Sequence, residues 1–312
     1  MESIQNIKKR LRTVKNVSQI TKAMELVAAT KMRRSQEIAI ASRPYALAAL
    51  QLLSELQRTE AWLPELLRKR ETKRVLFVLV ASDKGLAGAF NGLIIRKLEK
   101  HLADNPASAK EEYLFAAVGE RAFKYLERKK FTIIKTFARV GDFTSPEETK
   151  PIAEFLAEGY LEKKWDKVIV FSFNFRSALK QEPVMQEVLP IEASSVRRAI
   201  MDILPEAGKF SGSYGLKEDD FSFTKEPQEY LVEPDRKKVL EALIRHLFFM
   251  RIYHLILEAN VSEHAARRLA MKTASDNGEE LYFDLTLLYN KSRQTAITRE
   301  IAEIAAASSS LS

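Results

Sequence analysis

The sequence predicts an α/β protein: a long antiparallel coiled coil of the N- and C-terminal helices, and between them a central domain with a mainly parallel sheet. Three observations carry this expectation. Residues 1–58 contain no glycine and only one proline, Pro44. Residues 235–312 contain no proline and one glycine, Gly278. Between the two, buried-strand runs alternate with amphipathic stretches, the signature of a helix-covered sheet. A helix of such length does not fold back on itself. It needs a partner, and the other end of the same chain is the nearest one. The resulting division is 1–60, 72–230 and 233–312, a layout that points to a mechanical or scaffolding role.

The first helix carries Ile4, Ile7, Leu11, Val14, Val17, Ile20, Met24 and Val27 in steps of three and four. Three consecutive steps of three make this a one-sided seam with a stutter-like irregularity. Small residues follow, among them Ala28, Ala29 and Ser35, and let another helix approach closely. Pro44 interrupts the helix by removing a backbone donor, and the pattern resumes at Leu47, Leu50, Leu53 and Leu56.

Residues 73–82 (KRVLFVLVAS) read as a strand buried on both faces. DKGLAGAFNG turns tightly into a helix over 89–103. Residues 112–119 give a second strand, 120–129 a helix, and 131–138 a third, weaker strand. Residues 146–163 form a helix, with Pro146 at its start and Glu147 and Glu148 in its first turn. A further buried strand spans 167–174, and 183–192 add an edge strand. This alternation is Rossmann-like. Residues 205–228, rich in Gly, Pro, Ser and acids, read as a loop or hairpin insert. The last helix starts after Glu233-Pro234-Asp235. Its expected seam is Val239, Leu243, Leu247, Met250, Leu257 and Val261, then Leu281, Leu285, Leu288, Ile297, Ile301 and Ile304.

The formal net charge is +8. Residues 1–58 hold eleven Lys/Arg against Glu2, Glu25, Glu37 and Glu55, a surplus of seven, so nearly all the excess lies on one helix. A basic helix tracks nucleic acid, an anionic membrane or an acidic protein surface, or is a solvated coiled-coil flank. Residues 1–40 contain no aromatic side chain, which disfavours stacking on single-stranded nucleic acid. The absence of cysteine excludes disulfides and thiolate metal sites, and the four histidines show no zinc-ligand spacing. No apolar run is long enough for a transmembrane helix. The N-terminus lacks an apolar signal core. Its apolar pattern runs on unbroken into the first helix, so it reads as structure rather than as a transit extension.

Gly85, Gly88 and Gly92 follow a buried strand and open a helix, where backbone N–H groups hold phosphate in other folds. Their spacing matches no nucleotide fingerprint, so they read as a tight turn with close packing. That spacing also removes a nicotinamide-dependent oxidoreductase from consideration. Asp83, Asp142, Asp166 and the Glu147/Glu148 pair lack a catalytic partner at a recognisable spacing and read as solvated carboxylates. Ser82, Ser172 and Ser177 sit in no nucleophile elbow. The stretch 270–304 is the most unusual. Asp276-Asn277-Gly278 weaken a helix interior, glycine alone by about 1 kcal/mol. Asn290, Lys291, Arg293, Gln294, Thr298, Arg299 and Glu300 follow densely, as a polar band against a partner.

Three segments resemble the gamma subunit family of F-type ATP synthase. They are IKKRLRTVKNVSQITKAMELVAATKMRRSQ (7–36) with SRPYA (42–46), SDKGLAGAFN (82–91), and EHAARRLAMKTASDNGEELYFDLTLLYNKSRQTAITREIAEI (263–304). The resemblance implies a non-catalytic central rotor that binds no cofactor or metal. Its coil would stand inside the hexamer of alpha and beta subunits. Its sheet domain would lie near the epsilon subunit and the membrane c-ring, and it would have no nucleic-acid partner. Membrane contact would come only through the complex, on the cytoplasmic face of a bacterial inner membrane. Met24 resembles the family methionine facing an acidic lever of a beta subunit. Arg293 and Gln294 resemble the pair that bonds a beta catch loop, with Thr298 and Glu300 in the same band. Tyr230 lies near the expected c-ring or epsilon contact. Ala87 stands where the family often has cysteine, and no cysteine-bearing regulatory insert is present, so thiol control is not expected. A free-standing basic coiled-coil adaptor or nucleic-acid binder is the alternative.

Overall fold

The computed structural model describes residues 3–41, 64–106, 111–138, 144–191, 233 and 235–310. The expected helix break at Pro44, the insert 205–228 and Tyr230 lie outside the described residues. The elements, in chain order, are α1 (Ile4–Ala41), β1 (Arg74–Val80), α2 (Phe90–Asp104), β2 (Glu112–Val118), α3 (Glu120–Arg128), β3 (Ile133–Phe137), α4 (Pro146–Leu161), β4 (Lys167–Phe175), β5 (Gln181–Leu189) and α5 (Arg236–Ser310). A short 3-10 turn, Glu65–Leu67, precedes β1. At ~1.5 Å rise per residue, the 75 residues of α5 extend roughly 112 Å.

The chain divides into two compact units. The larger, Ala29–Arg267, holds the five-stranded sheet in the order β3-β2-β1-β4-β5. β1, β2, β3 and β4 run parallel, and β5 is the antiparallel edge. Alternation along the central strands supplies two cores. Leu76, Val78, Val80, Val168 and Val170 pack under α4 and the start of α5. Val75, Phe77, Leu79, Ile169 and Phe171 pack with α2 and α3 residues such as Ile94, Leu98 and Leu126. Burial on both faces is why these strands read as continuous apolar runs. In the same unit Ile38 clusters with Tyr253 and Leu257, and Met32 with Val261 and Ala265. One number falls as the other rises, so α1 and α5 run antiparallel. From Arg251 to Ala259 every residue of α5 is buried, as expected for a helix surrounded by protein.

Helix α4 begins at the place its sequence dictates. Ser145 accepts from Glu148 N–H at 3.3 Å and Glu148 answers to Ser145 N–H at 3.1 Å, a complete capping box.

Asp166 is not the solvated carboxylate expected from sequence. Its side chain is 11% exposed and pairs with Arg70 at 2.7 Å. It also accepts from the backbone N–H groups of Lys73 and Arg74, each at 3.0 Å. Arg70 lies over the Tyr160 ring, 4.2 Å from its centroid, and donates to the Tyr160 and Trp165 carbonyls. The entry to β1 is thereby fastened to the α4–β4 corner. Partners more than 90 positions away gave no sequence signal.

Burial raises the Asp166 pKa, but the two N–H groups and Arg70 outweigh it, and the net value falls below the ordinary 3.8. A carboxyl depressed on folding stabilises the fold while ionised. Its contribution is complete above pH 3.8 and is lost as pH falls through the lowered folded value. Asp166→Asn is expected to cost about 2 kcal/mol at pH 7, under the buried-pair range because Arg70 is partly exposed. Thermal melts from about pH 5 to pH 2 check this. The parent should lose stability more steeply than the variant, and parallel curves would remove Asp166 from the acid response.

Candidate functional site

The smaller unit consists of Met1–Ala28 and Arg268–Ser312. Its α1 seam differs from the one expected. The positions turned inward along α1 are Ile7, Leu11, Val14, Ser18, Thr21, Glu25 and Ala28. This is an unbroken four-three heptad, with polar or small residues through its middle. The expected members Val17, Ile20 and Val27 face out, 50%, 59% and 55% exposed. The stutter in the apolar pattern is therefore two interleaved stripes one residue apart. The inner stripe meets α5, and the outer stripe (Val17, Ile20, Met24, Val27) meets none of the described residues of this unit closely enough to bury it. Met24 itself is half-buried. Extending Ile7-Leu11-Val14 forward by strict heptads was the signal that finds the seam.

On α5 the inward positions are Met271, Ser275, Gly278, Leu285, Tyr289 and Ser292. Of the expected Leu281, Leu285, Leu288, Ile297, Ile301 and Ile304, only Leu285 is buried, and the others are 43–66% exposed. The glycine anomalous in sequence now has its reason. A Cβ on Gly278 would sit 3.1 Å from the Ser18 Cβ, so the helices cross closely where both residues are small.

One turn from that contact, Lys22 Nζ lies 2.9 Å from Glu25 Oε2. The Glu25 side chain is 10% exposed, that of Lys22 53%. The hydrogen bond to Glu25, the Glu25 charge, and Asp276 and Glu279 across the coil together hold the Lys22 pKa above its ordinary value.

The polar band is exposed throughout. Lys291, Gln294, Thr295, Thr298, Arg299 and Ala302 line one shallow groove along α5. Thr295 and Thr298 donate back to the Lys291 and Gln294 carbonyls at 3.0 and 2.9 Å, and Arg299 pairs with Glu303 at 2.8 Å. Gln294 and Thr298, four apart, stack on one face, while Arg293 and Glu300, seven apart, share the adjoining face. The band thus presents two polar faces rather than one. Met24 lies on the other helix, beyond Ser18 on the side away from the band, and is brought next to none of these four.

In the larger unit the 82–92 loop spends its polar groups on the fold. Ser82 N–H and Oγ bond Asn91 Oδ1, each at 3.0 Å. Asp83, also read as solvated, instead accepts from Glu120 N–H at 3.0 Å and caps the start of α3. Arg267, paired with Glu263 at 2.6 Å, reaches the Gly85 carbonyl at 3.3 Å. Leu86 and Gly88 take positive φ of 64° and 57° in the turn. No helix among the described residues is long and apolar enough to cross a membrane.

A family profile described as ATP synthase matches residues 3–311. A protein of Picosynechococcus sp. named ATP synthase gamma chain is 36% identical, over 100% of both chains. One of the same name from Opitutus terrae is 37% identical over 98% of each. Among solved structures, the rotor of the Euglena gracilis mitochondrial ATP synthase matches with a TM-score of 0.60 at 19% identity, covering 94% of this chain and 98% of that one. The central stalk and c-ring structure from Tetrahymena thermophila matches at 0.55 and 23% identity, covering 82% and 99%. At these identities the structures speak for the fold.

Proposed function

Since the chain belongs to the ATP synthase gamma chain family, we infer that it works as the central-stalk rotor, coupling ion-driven c-ring rotation to conformational cycling of the catalytic beta subunits. The observation that carries this is the smaller unit: two antiparallel helices whose outer faces remain apolar and exposed around a polar seam, in a chain matched end to end by gamma chains. Such a coil is built to be gripped.

The chain is non-catalytic by itself and holds no cofactor. Its partners are the alpha and beta subunits around the coil, and the epsilon subunit and c-ring at the sheet domain. It sits at the cytoplasmic face of a bacterial membrane, attached through the complex and without nucleic acid. The working division is coil helices 1–60 and 233–312 with a sheet domain 72–230. Met24, Arg293, Gln294, Thr298 and Glu300 are the proposed beta contacts, with Tyr230 at the c-ring or epsilon end. The separation of Met24 from the band supports two contact levels along the coil.

The energetics suit the task. A rotor shifts a beta site only by the difference in its contact energy with that site's conformations. Moving an equilibrium from 1:99 to 99:1 takes about 5.5 kcal/mol. Val17, Ile20 and Val27 are about half exposed, so burying the remainder in one orientation offers about 1 kcal/mol each, roughly half of that requirement.

The test is reconstitution of this chain with alpha and beta subunits, with a probe on the sheet domain followed during ATP hydrolysis. Unidirectional stepped rotation is expected. Stable assembly without ATP-dependent rotation would reduce the chain to a scaffold.

A further inference from the structure

The middle of α1 has two ways to face its partner. Ser18, Thr21, Glu25 and Ala28 form the observed seam. Val17, Ile20, Met24 and Val27 repeat the same three-four-three spacing one residue earlier, about 100° around the helix. Hydrophobic burial alone favours the second set. Ile7, Leu11 and Val14 before this segment and Ala28 after it hold the first phase at its two ends. Between those ends something polar must outweigh the apolar alternative.

We propose that Lys22 and Glu25, with Asp276 and Glu279 on the facing helix, are positioning residues that set the rotational phase of α1 and so turn the Val17–Ile20–Met24–Val27 stripe outward. Gly278, against Ser18, places Asp276 and Glu279 opposite the turn that bears Lys22. Glu25 lies in the seam, and Lys22 reaches back over it at 2.9 Å. Lys22 is a cation acted on by three carboxylates, one on its own helix and two across the coil. Rotating α1 to bury Val17 and Ile20 swings Glu25 out of the seam and carries Lys22 away from Asp276 and Glu279. The close Ser18–Gly278 contact opposes the same rotation, because a branched side chain at position 17 would then face the crossing. The phase is a property of the chain itself. Only its consequence, that Met24 then meets a beta subunit, rests on the rotor reading.

The chain has no native cysteine, so introduced thiols report without background. Ser18→Cys and Ile20→Cys are made separately in the full-length chain, and maleimide labelling is timed without partner subunits. In the otherwise unchanged chain the outer thiol at 20 should react about tenfold faster than the seam thiol at 18, which waits for local opening. Lys22→Glu gathers four carboxylates, and the ratio should fall to about one or invert. Adding Glu279→Lys should restore it. Lys22→Gln removes the cation without repulsion, and the ratio should fall about threefold, within the range of a partly exposed pair. Ratios within about twofold of the parent in both Lys22 variants, or no recovery with Glu279→Lys, would overturn the proposal. If Lys22→Glu makes both thiols fast, the coil has opened rather than turned, and the Lys22→Gln ratio then decides in either direction. None of these outcomes depends on rotation in the reconstituted complex, so failure here is distinguishable from failure of the rotor reading.

Discussion

Gly159→Ala is expected to destabilise the larger unit by about 2–3 kcal/mol, although alanine is the better helix former. Gly159 sits inside α4, and a Cβ there would lie 2.0 and 2.1 Å from two Trp165 ring atoms. The indole is 2% exposed and rigid, and its Nε1 donates to the Leu156 carbonyl at 3.1 Å. It also packs on Phe155, with ring centroids 5.1 Å apart. Relief requires moving the indole, which breaks that bond and disturbs the neighbouring Tyr160. Helix propensity returns only about 1 kcal/mol of the cost. The check is a denaturant titration, in which the midpoint should drop at unchanged slope. Gly159→Ala combined with Trp165→Leu should lose less than the two changes summed, because the second removes the obstacle created by the first. A single variant as stable as its parent would place Trp165 elsewhere.

Met24→Lys should leave the coil nearly as stable as before and uncouple the complex. Met24 is the half-buried member of the outward stripe, so a lysine stem lies along the apolar surface while its ammonium reaches solvent. Stability should change by no more than about 0.5 kcal/mol. In the proposed complex the same ammonium meets beta carboxylates, and a close interfacial ion pair, worth about 1.5 kcal/mol or more, biases one orientation at least tenfold. ATP hydrolysis should then persist while ion pumping per ATP falls. Pumping equal to the parent at normal assembly would mean that Met24 is not a beta contact. An equal loss of both activities would point to misassembly instead.

Much of the larger unit was legible because its strands are buried on both faces and its turns carry their own chemistry. The β1, β2 and β4 runs fall within a residue or two of their expected bounds. Ser145 and Glu148 mark the α4 start in four residues of sequence. The coil was legible in kind but not in phase. Two stripes of equal spacing lie side by side on α1, and counting apolar residues selects Val17, Ile20 and Val27, which the fold turns outward. What decides is long-range: Gly278 opposite Ser18, and the charges around Lys22. The Arg70–Asp166 latch was hidden for the same reason. The proposed contact residues Arg293 and Gln294 were found by likeness to a family, since nothing in the exposed polar face of a single helix marks its partner.

The Ser18–Gly278 crossing also sets an order of events at the ribosome. Ser18 is synthesised 260 positions ahead of Gly278. All five strands end by Leu189, so the sheet can begin to condense while α1 still has no partner. Throughout that interval α1 carries an exposed apolar stripe and a polar one, and a stray apolar surface will choose the former. The arriving C-terminal helix offers a small residue, Gly278, and the acids Asp276 and Glu279 to the polar stripe. The closing of the coil is therefore a late, long-range step, and it requires the polar stripe of α1 to be free when its partner arrives.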